Sequence, residues 1–201
     1  MLRLGSSVVV VGVVGALLFA ATATAAPANL IKDGSFESPV VPVGGFTVFS
    51  TGQKFSKWTV TGASGSVGIV SGTFSQNGYT FPAHSGAQWI DLTGLSQTAT
   101  GVSQTVATTS GVSYTLTFSV GNASNPGGIF GTVSTVNVLV DGTLEMTAVN
   151  RKGMGTMTQA WKKFTLTFSA AGPATTISFI NEDPSNDTQN GLDGVKLVPS
   201  A

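Results

Sequence analysis

The chain has 201 residues, only 9% of them charged, and its nine Lys and Arg balance nine Asp and Glu. With no basic field to draw in phosphate backbones, nucleic acid is not expected as a partner. Cysteine is absent, which excludes thiolate catalysis, disulfides, cysteine zinc sites and a lipidated cysteine anchor.

Met1 to Ala26 carries the three parts of a secretory signal peptide. Arg3 marks the positive start, Val8 to Ala20 is an unbroken apolar run, and Ala21-Thr22-Ala23 and Ala23-Thr24-Ala25 both fit a small-x-small cleavage site. The run is short for a membrane span. The expectation is a leader over residues 1–26 and one secreted domain over residues 27–201, without membrane contact after cleavage. Losing Arg3 leaves eight basic against nine acidic residues, a net charge of about −1. Roughly 175 mature residues bury enough surface to hold together without disulfides.

From Asn29 onward no amphipathic helical period appears. The opening stretch Asn29-Leu30-Ile31-Lys32-Asp33-Gly34-Ser35-Phe36-Glu37 is expected to lie beside the closing one, Gly191 to Leu197, as first and last strands. Pro39 to Gly45 is a loop, and Phe46–Ser50, Lys57–Thr61 and Val67–Val70 read as strands. Ser71 to Ser85 reads as a long polar loop carrying Phe74, Tyr79, Phe81 and His84. Ala87 to Leu92 alternates, with Gln88, Ile90 and Leu92 on one face and Ala87, Trp89 and Asp91 on the other. Gly101–Ala107 and Tyr114–Val120 follow, the latter alternating large residues with hydroxyls as a half-buried strand does. Val133 to Val140 ends in Asp141-Gly142, a hairpin turn, with Leu144–Val149 returning. Lys163–Ser169, Thr175–Ile180, an Asn-rich acidic loop over Asn181–Asn190 and the final strand complete the chain. Roughly ten strands with turn chemistry between them predict an all-β antiparallel jelly-roll β-sandwich.

Several stretches occur in a telling order. Asn29-Leu30-Ile31…Gly34-Ser35-Phe36-Glu37-Ser38-Pro39 is followed by Trp58 and by Ser85-Gly86-Ala87-Gln88-Trp89-Ile90-Asp91-Leu92. Gly101-Val102-Ser103-Gln104, Val120-Gly121-Asn122, Trp161 and Leu192-Asp193-Gly194-Val195 come after. In this ordered set the chain resembles the DUF642 family in its bacterial choice-of-anchor C form, which are secreted galactose-binding-like sandwiches. The resemblance implies a non-catalytic extracellular protein contacting cell-wall polysaccharide, and structural calcium between the first and last strands. The chain departs from the family in ending at Pro199-Ser200-Ala201 without a sorting tail and in lacking the cysteines of plant members.

Calcium takes about six to eight oxygens. Glu37 and Asp193 are the expected carboxylates, with Asp33 and carbonyls near Gly34 completing the shell; the alternative is that Glu37 caps a turn and Asp193 bonds a neighbouring amide. The Asp183–Asp193 loop lacks the spacing of an EF-hand. For a sugar, the expected contacts are Trp89, facing outward beside Asp91, with Tyr79, Phe81 and His84 as a rim; burial of Trp89 is the alternative. His84 is the only histidine and no G-x-S-x-G elbow exists, so an enzyme is not expected. The competing function is an exported structural or adhesion protein that binds protein partners.

Overall fold

The computed structural model describes residues 27–124, 130–183 and 189–200; the expected leader, residues 1–26, lies outside them. The period-two patterning does what it predicts. Tyr114, Leu116, Phe118 and Val120 are buried while Thr115 and Thr117 stay half-exposed on the opposite face.

Two six-stranded sheets result, all of their pairings antiparallel. One runs in the order β1 (Phe46–Ser50), β4 (Ser66–Ser71), β7 (Gln88–Asp91), β14 (Gly191–Pro199), β9 (Ser113–Asn122) and β12 (Ala160–Ser169). The other runs β11 (Thr143–Asn150), β10 (Ser134–Val140), β13 (Ala174–Asn181), β8 (Thr100–Ala107), β3 (Trp58–Gly62) and β2 (Lys54–Phe55). Asp141-Gly142 turns β10 into β11 with both residues at positive φ, 50° and 84°. That conformation matches the strand twist.

The core between the sheets is centred on Trp58, Phe118, Phe179, Leu116 and Ile177, all buried. Phe36 lies 5.2 Å from Trp58 and Phe118 lies 5.0 Å from Phe179, ring centre to ring centre. Aromatic pairs at such distances add about 0.5–1.5 kcal/mol to their area burial.

The expected long loop Ser71–Ser85 is a correction. It contains a hairpin of its own, β5 (Ser75–Gln76) and β6 (Tyr79–Thr80), turned by Asn77 and Gly78 at φ 52° and 82°. The Asn-Gly dipeptide carries the signal, but the strands are too short to show a period.

The two ends of the chain do lie together. β14 pairs with β7 only through Gly191 and Leu192, and a bulge between Asp193 and Lys196 then breaks its register with β9. The opening segment takes the slot that β7 leaves. Leu30 N–H donates to Leu197 O at 2.9 Å and Val195 N–H to Gly34 O at 2.8 Å. Asn29 seals the join, accepting from Leu197 N–H at 2.8 Å and donating to Val195 O at 3.1 Å. The segment is bent and not a regular strand, because Asp33 and Phe36 sit at φ 53° and 56°. Gly34 is required there, since a Cβ would stand 2.0 Å from Val195 O.

Candidate functional site

On β7 and at Leu92 just past it, Ile90 and Leu92 point into the core and Trp89 and Asp91 point away from it, as the alternation predicts. Trp89 is nonetheless 2% exposed. The β5–β6 hairpin and neighbouring loops form a third layer over this outer face. Its own apolar cluster joins Val70, Tyr79, Phe81, Trp89 and Phe130, with Phe74 and Trp161 against it. The indole N–H donates to Phe81 O at 3.0 Å, which satisfies its one donor. The expected exposed platform at Trp89 is therefore corrected to a covered one. Tyr79 is also buried, stacked on Phe81 at 6.4 Å and edge-on to Phe130 at 4.8 Å, instead of standing on a loop rim.

A recess of about 110 Å³ remains at the edge of this layer. Phe46, Phe74, Phe81 and Trp89 form its aromatic wall, and Gln76, Asp91 and Gln189 supply its polar lining. Phe46 is 45% exposed and stands edge-on to Phe74 at 5.7 Å. It offers an accessible ring at the mouth.

Asp91 is the ionisable group of this lining. Its Oδ1 accepts three hydrogen bonds, from Thr93 Oγ1 at 2.7 Å, Thr93 N–H at 3.1 Å and Asn190 N–H at 3.0 Å. Its Oδ2 takes no hydrogen bond from the described residues, and the residue lines the recess. Burial pushes its pKa up to about 6, against the opposing pull of the Asn190 and Thr93 donors.

Glu37 and Asp193 meet at one turn, His84–Gln88, from opposite ends. Asp193 is fully buried, and Oδ2 accepts from His84 N–H and Ser85 N–H, both at 2.8 Å. Its Oδ1 accepts from Ser85 Oγ at 3.1 Å and from Gly194 N–H. Burial raises its pKa to about 6, opposed mainly by the Ser85 and Gly194 amides. Glu37 Oε1 accepts from Ala87 N–H at 2.9 Å and Gln88 N–H at 3.0 Å. Gly86 between them sits at φ 69°, the left-handed region that favours glycine, and a Cβ there would press on the Glu37 carboxylate. The amide and turn contacts weighed against calcium are thus present.

These donors bear on a cation. A carboxylate has about four acceptor positions, and Asp193 has all four filled by N–H and O–H donors. The Gly34 carbonyl is engaged by Val195 N–H. Asp33 differs: Oδ1 accepts from Glu37 N–H at 2.8 Å, while Oδ2 is buried without a hydrogen-bond partner. Among the described residues no three His, Asp or Glu side chains form a metal cluster. Asp33 Oδ2 and the second oxygen of Glu37 fit a cation better than Asp193 does.

Residues 29–196 match the sequence profile of DUF642, described as a protein of unknown function. The chain belongs to the DUF642 family. No curated protein matches it. Among solved structures, this DUF642 chain is similar to a cyclase from Fischerella sp. TAU in complex with 4-(1H-indol-3-yl)butan-2-one. The identity is 19% and the TM-score 0.57, over 85% of this chain and 97% of that one. It is also similar to a CBM35 from Paenibacillus barcinonensis at 12% identity and TM-score 0.43, over 77% and 99% of the two chains. TmCBM61 in complex with β-1,4-galactotriose matches at 15% and 0.46, over 86% and 99%. At these identities the likeness shows the β-sandwich fold and nothing about the site, and the last two superpose too loosely to carry an argument.

The DUF642 sandwich gathers Trp89, Asp91 and Phe81 at the recess and Tyr79 in the layer behind it. His84 stands apart. Its ring is edge-on to Trp161 at 5.8 Å with Nε2 3.3 Å from Ser119 Oγ, outside the recess lining. Phe46 had a signal in the sequence, since β1 alternation sets Phe46 and Val48 against Phe49. Gln76 and Gln189 had none.

Proposed function

We propose that this DUF642 chain is an exported, non-catalytic protein that binds extracellular glycan through the outer-face recess. The observation that carries the reading is Asp91: one oxygen is locked by three donors, the other takes no hydrogen bond from the described residues, and the residue lines a recess that also holds an accessible aromatic ring. A sugar offers hydroxyl donors on one face and C–H groups on another, and a site with a few placed polar groups among aromatics suits it. A binding role is favoured over glycoside hydrolysis because hydrolysis takes a carboxyl pair about 5 to 10 Å apart, whereas Asp91 shares the recess with the amides of Gln76 and Gln189. Export rests on the leader pattern of residues 1–26.

Asp91→Asn tests the reading. The three donors hold the amide oxygen at the Oδ1 position, so the NH₂ replaces an acceptor by a donor at the recess. Calorimetric titration against a panel of neutral and acidic oligosaccharides should find a ligand whose affinity falls about tenfold or more in Asp91→Asn, a loss on the scale of one charged hydrogen bond, and again in Phe46→Ala. Binding that ignores both variants, or no binding across the panel, overturns it.

Structural calcium belongs to the same reading, carried by Asp33 and Glu37 on the opening segment, with Asp193 holding the 84–85 amides. A thermal melt in EDTA and then in excess calcium should show a higher midpoint with the ion, as preferential binding to the folded state requires. Asp33→Asn should lose the rise. A midpoint indifferent to both treatments rejects calcium.

A further inference from the structure

β8 is paired to β13 over its length, from Gly101 opposite Ile180 to Ala107 opposite Ala174. On its other side β3 covers only Thr100 to Ser103. Val60 spends its backbone on the opposite neighbour, donating to Gln53 O and accepting from Gly52 N–H. Thr59 and Thr61 therefore turn their amides to β8, at Ser103 and Gly101. The alternation continues along β8, so Thr105 and Ala107 direct N–H and C=O to the side that β3 has left. The far flank agrees. Thr176 O accepts from Asp141 N–H, so Thr175 and Ile177 are the residues of β13 that bond Val106 and Gln104. No hydrogen bond from the described residues reaches the Thr105 or Ala107 backbone on the vacated side.

Beside that edge runs a groove of about 360 Å³. Its other wall is the opening segment at Leu30 and Lys32, and Lys57 in the β2–β3 turn stands at one end. The wall is fixed in place, because the Gln104 side chain accepts from Lys32 N–H at 2.8 Å and donates to Lys32 O at 2.9 Å. Lys32 and Lys57 are both exposed, and no acidic residue lines the groove.

We propose that this groove takes an extended acidic segment of a partner protein, added as a strand to β8 beyond Trp58. Main-chain bonds to Thr105 and Ala107 would supply register, and the two lysines would select carboxylates on the guest. The open amides stand about 7 Å apart, the spacing of alternate strand residues. That spacing favours a peptide over an anionic polysaccharide, which has no matching ladder. Residues 1–26 contain no Asp or Glu and do not supply the guest's carboxylates. Lysine on an open edge also guards against aggregation, and the experiment separates the two roles.

The full chain is titrated with Ac-Thr-Glu-Thr-Glu-Thr-Glu-NH₂, its Thr-Lys counterpart and an oligouronate of equal charge. Amide hydrogen exchange is followed at Thr105 and Ala107. The proposal expects the Glu peptide alone to bind and to slow exchange at those two amides, with affinity falling about tenfold or more in Lys57→Glu and Lys32→Glu, as for close charge pairs across an interface. Equal binding by the Lys peptide overturns it, as does oligouronate binding without amide protection. So does a wild-type protein that binds no peptide while Lys32→Ala/Lys57→Ala self-associates, which would make the lysines edge guards. Circular dichroism on each variant confirms that the sandwich is intact.

Discussion

Acidification from about pH 7 to about pH 4 should stabilise this protein through Asp91 and Asp193, in the direction opposite to ordinary acid denaturation. Each carboxyl is raised from 3.8 to about 6 by burial in the folded state. Between those values the native chain holds a proton that the unfolded chain has released, so stability falls as pH rises through the window and recovers as pH falls. A shift of about two units corresponds to about 3 kcal/mol for a group. For a domain of this size about 1 kcal/mol moves Tm by about 2–4 °C, so Asp193 alone accounts for about 6–12 °C. Differential scanning calorimetry in EDTA across the window reads the effect, and Asp193→Asn isolates it. The amide oxygen can keep the His84 and Ser85 N–H donors while its NH₂ faces Gly194 N–H and the Ser85 hydroxyl turns to accept from it, so the variant loses the Gly194 bond and the titration together. The expected result is a Tm–pH slope flatter than wild type by that amount. An unchanged slope in Asp193→Asn refutes the assignment.

Other expectations follow from single contacts. In Asp91 the proton can only go to Oδ2, so glycan affinity should fall below about pH 6 and reproduce Asp91→Asn; a flat affinity–pH profile from about 7 to 5 contradicts this. Gly34→Ala drives a Cβ onto Val195 O and should cost about 1–3 kcal/mol by urea melt, with exchange at Leu30 and Val195 amides accelerating first. Gln88 is buried, accepting from Val41 N–H at 2.6 Å and donating to Phe36 O and Pro39 O at 2.7 and 3.0 Å. Gln88→Ala therefore leaves buried backbone groups unpaired and should cost about 2–3 kcal/mol in the same assay. Trp89→Ala should lower stability by about 3–5 kcal/mol, as a buried aromatic does, whether or not glycan is present.

Most of the sandwich was legible because its strands obey one rule. Tyr114, Leu116, Phe118 and Val120 alternate with hydroxyl residues, and Asp141-Gly142 announces its turn. The closure of the chain on itself was legible from Asn29, Gly34 and Asp193-Gly194, which occupy places where only a side-chain amide, a bare Cα or a bulge will serve. Strands of two residues escape such reading. Lys54–Phe55 and Ser75–Gln76 owe their form to neighbours, and no period can show in so short a run.

The site shows why correct local geometry gave the wrong exposure. Alternation correctly sent Trp89 and Asp91 outward from the core, and a two-layer protein would have left the indole in water. The chain instead spends Phe74, Tyr79, Phe81 and Phe130 on covering that face, so outward there means into a second apolar cluster. Burying an indole needs a partner for its N–H, and Phe81 O provides it. Burying a carboxylate beside it costs more, and three donors on one oxygen of Asp91 only partly offset that cost, as its raised pKa records. A fold gains nothing from an acceptor left open in such a place, whereas a ligand carrying a hydroxyl does. That asymmetry, and not an exposed tryptophan, is the reason to look for sugar at this recess.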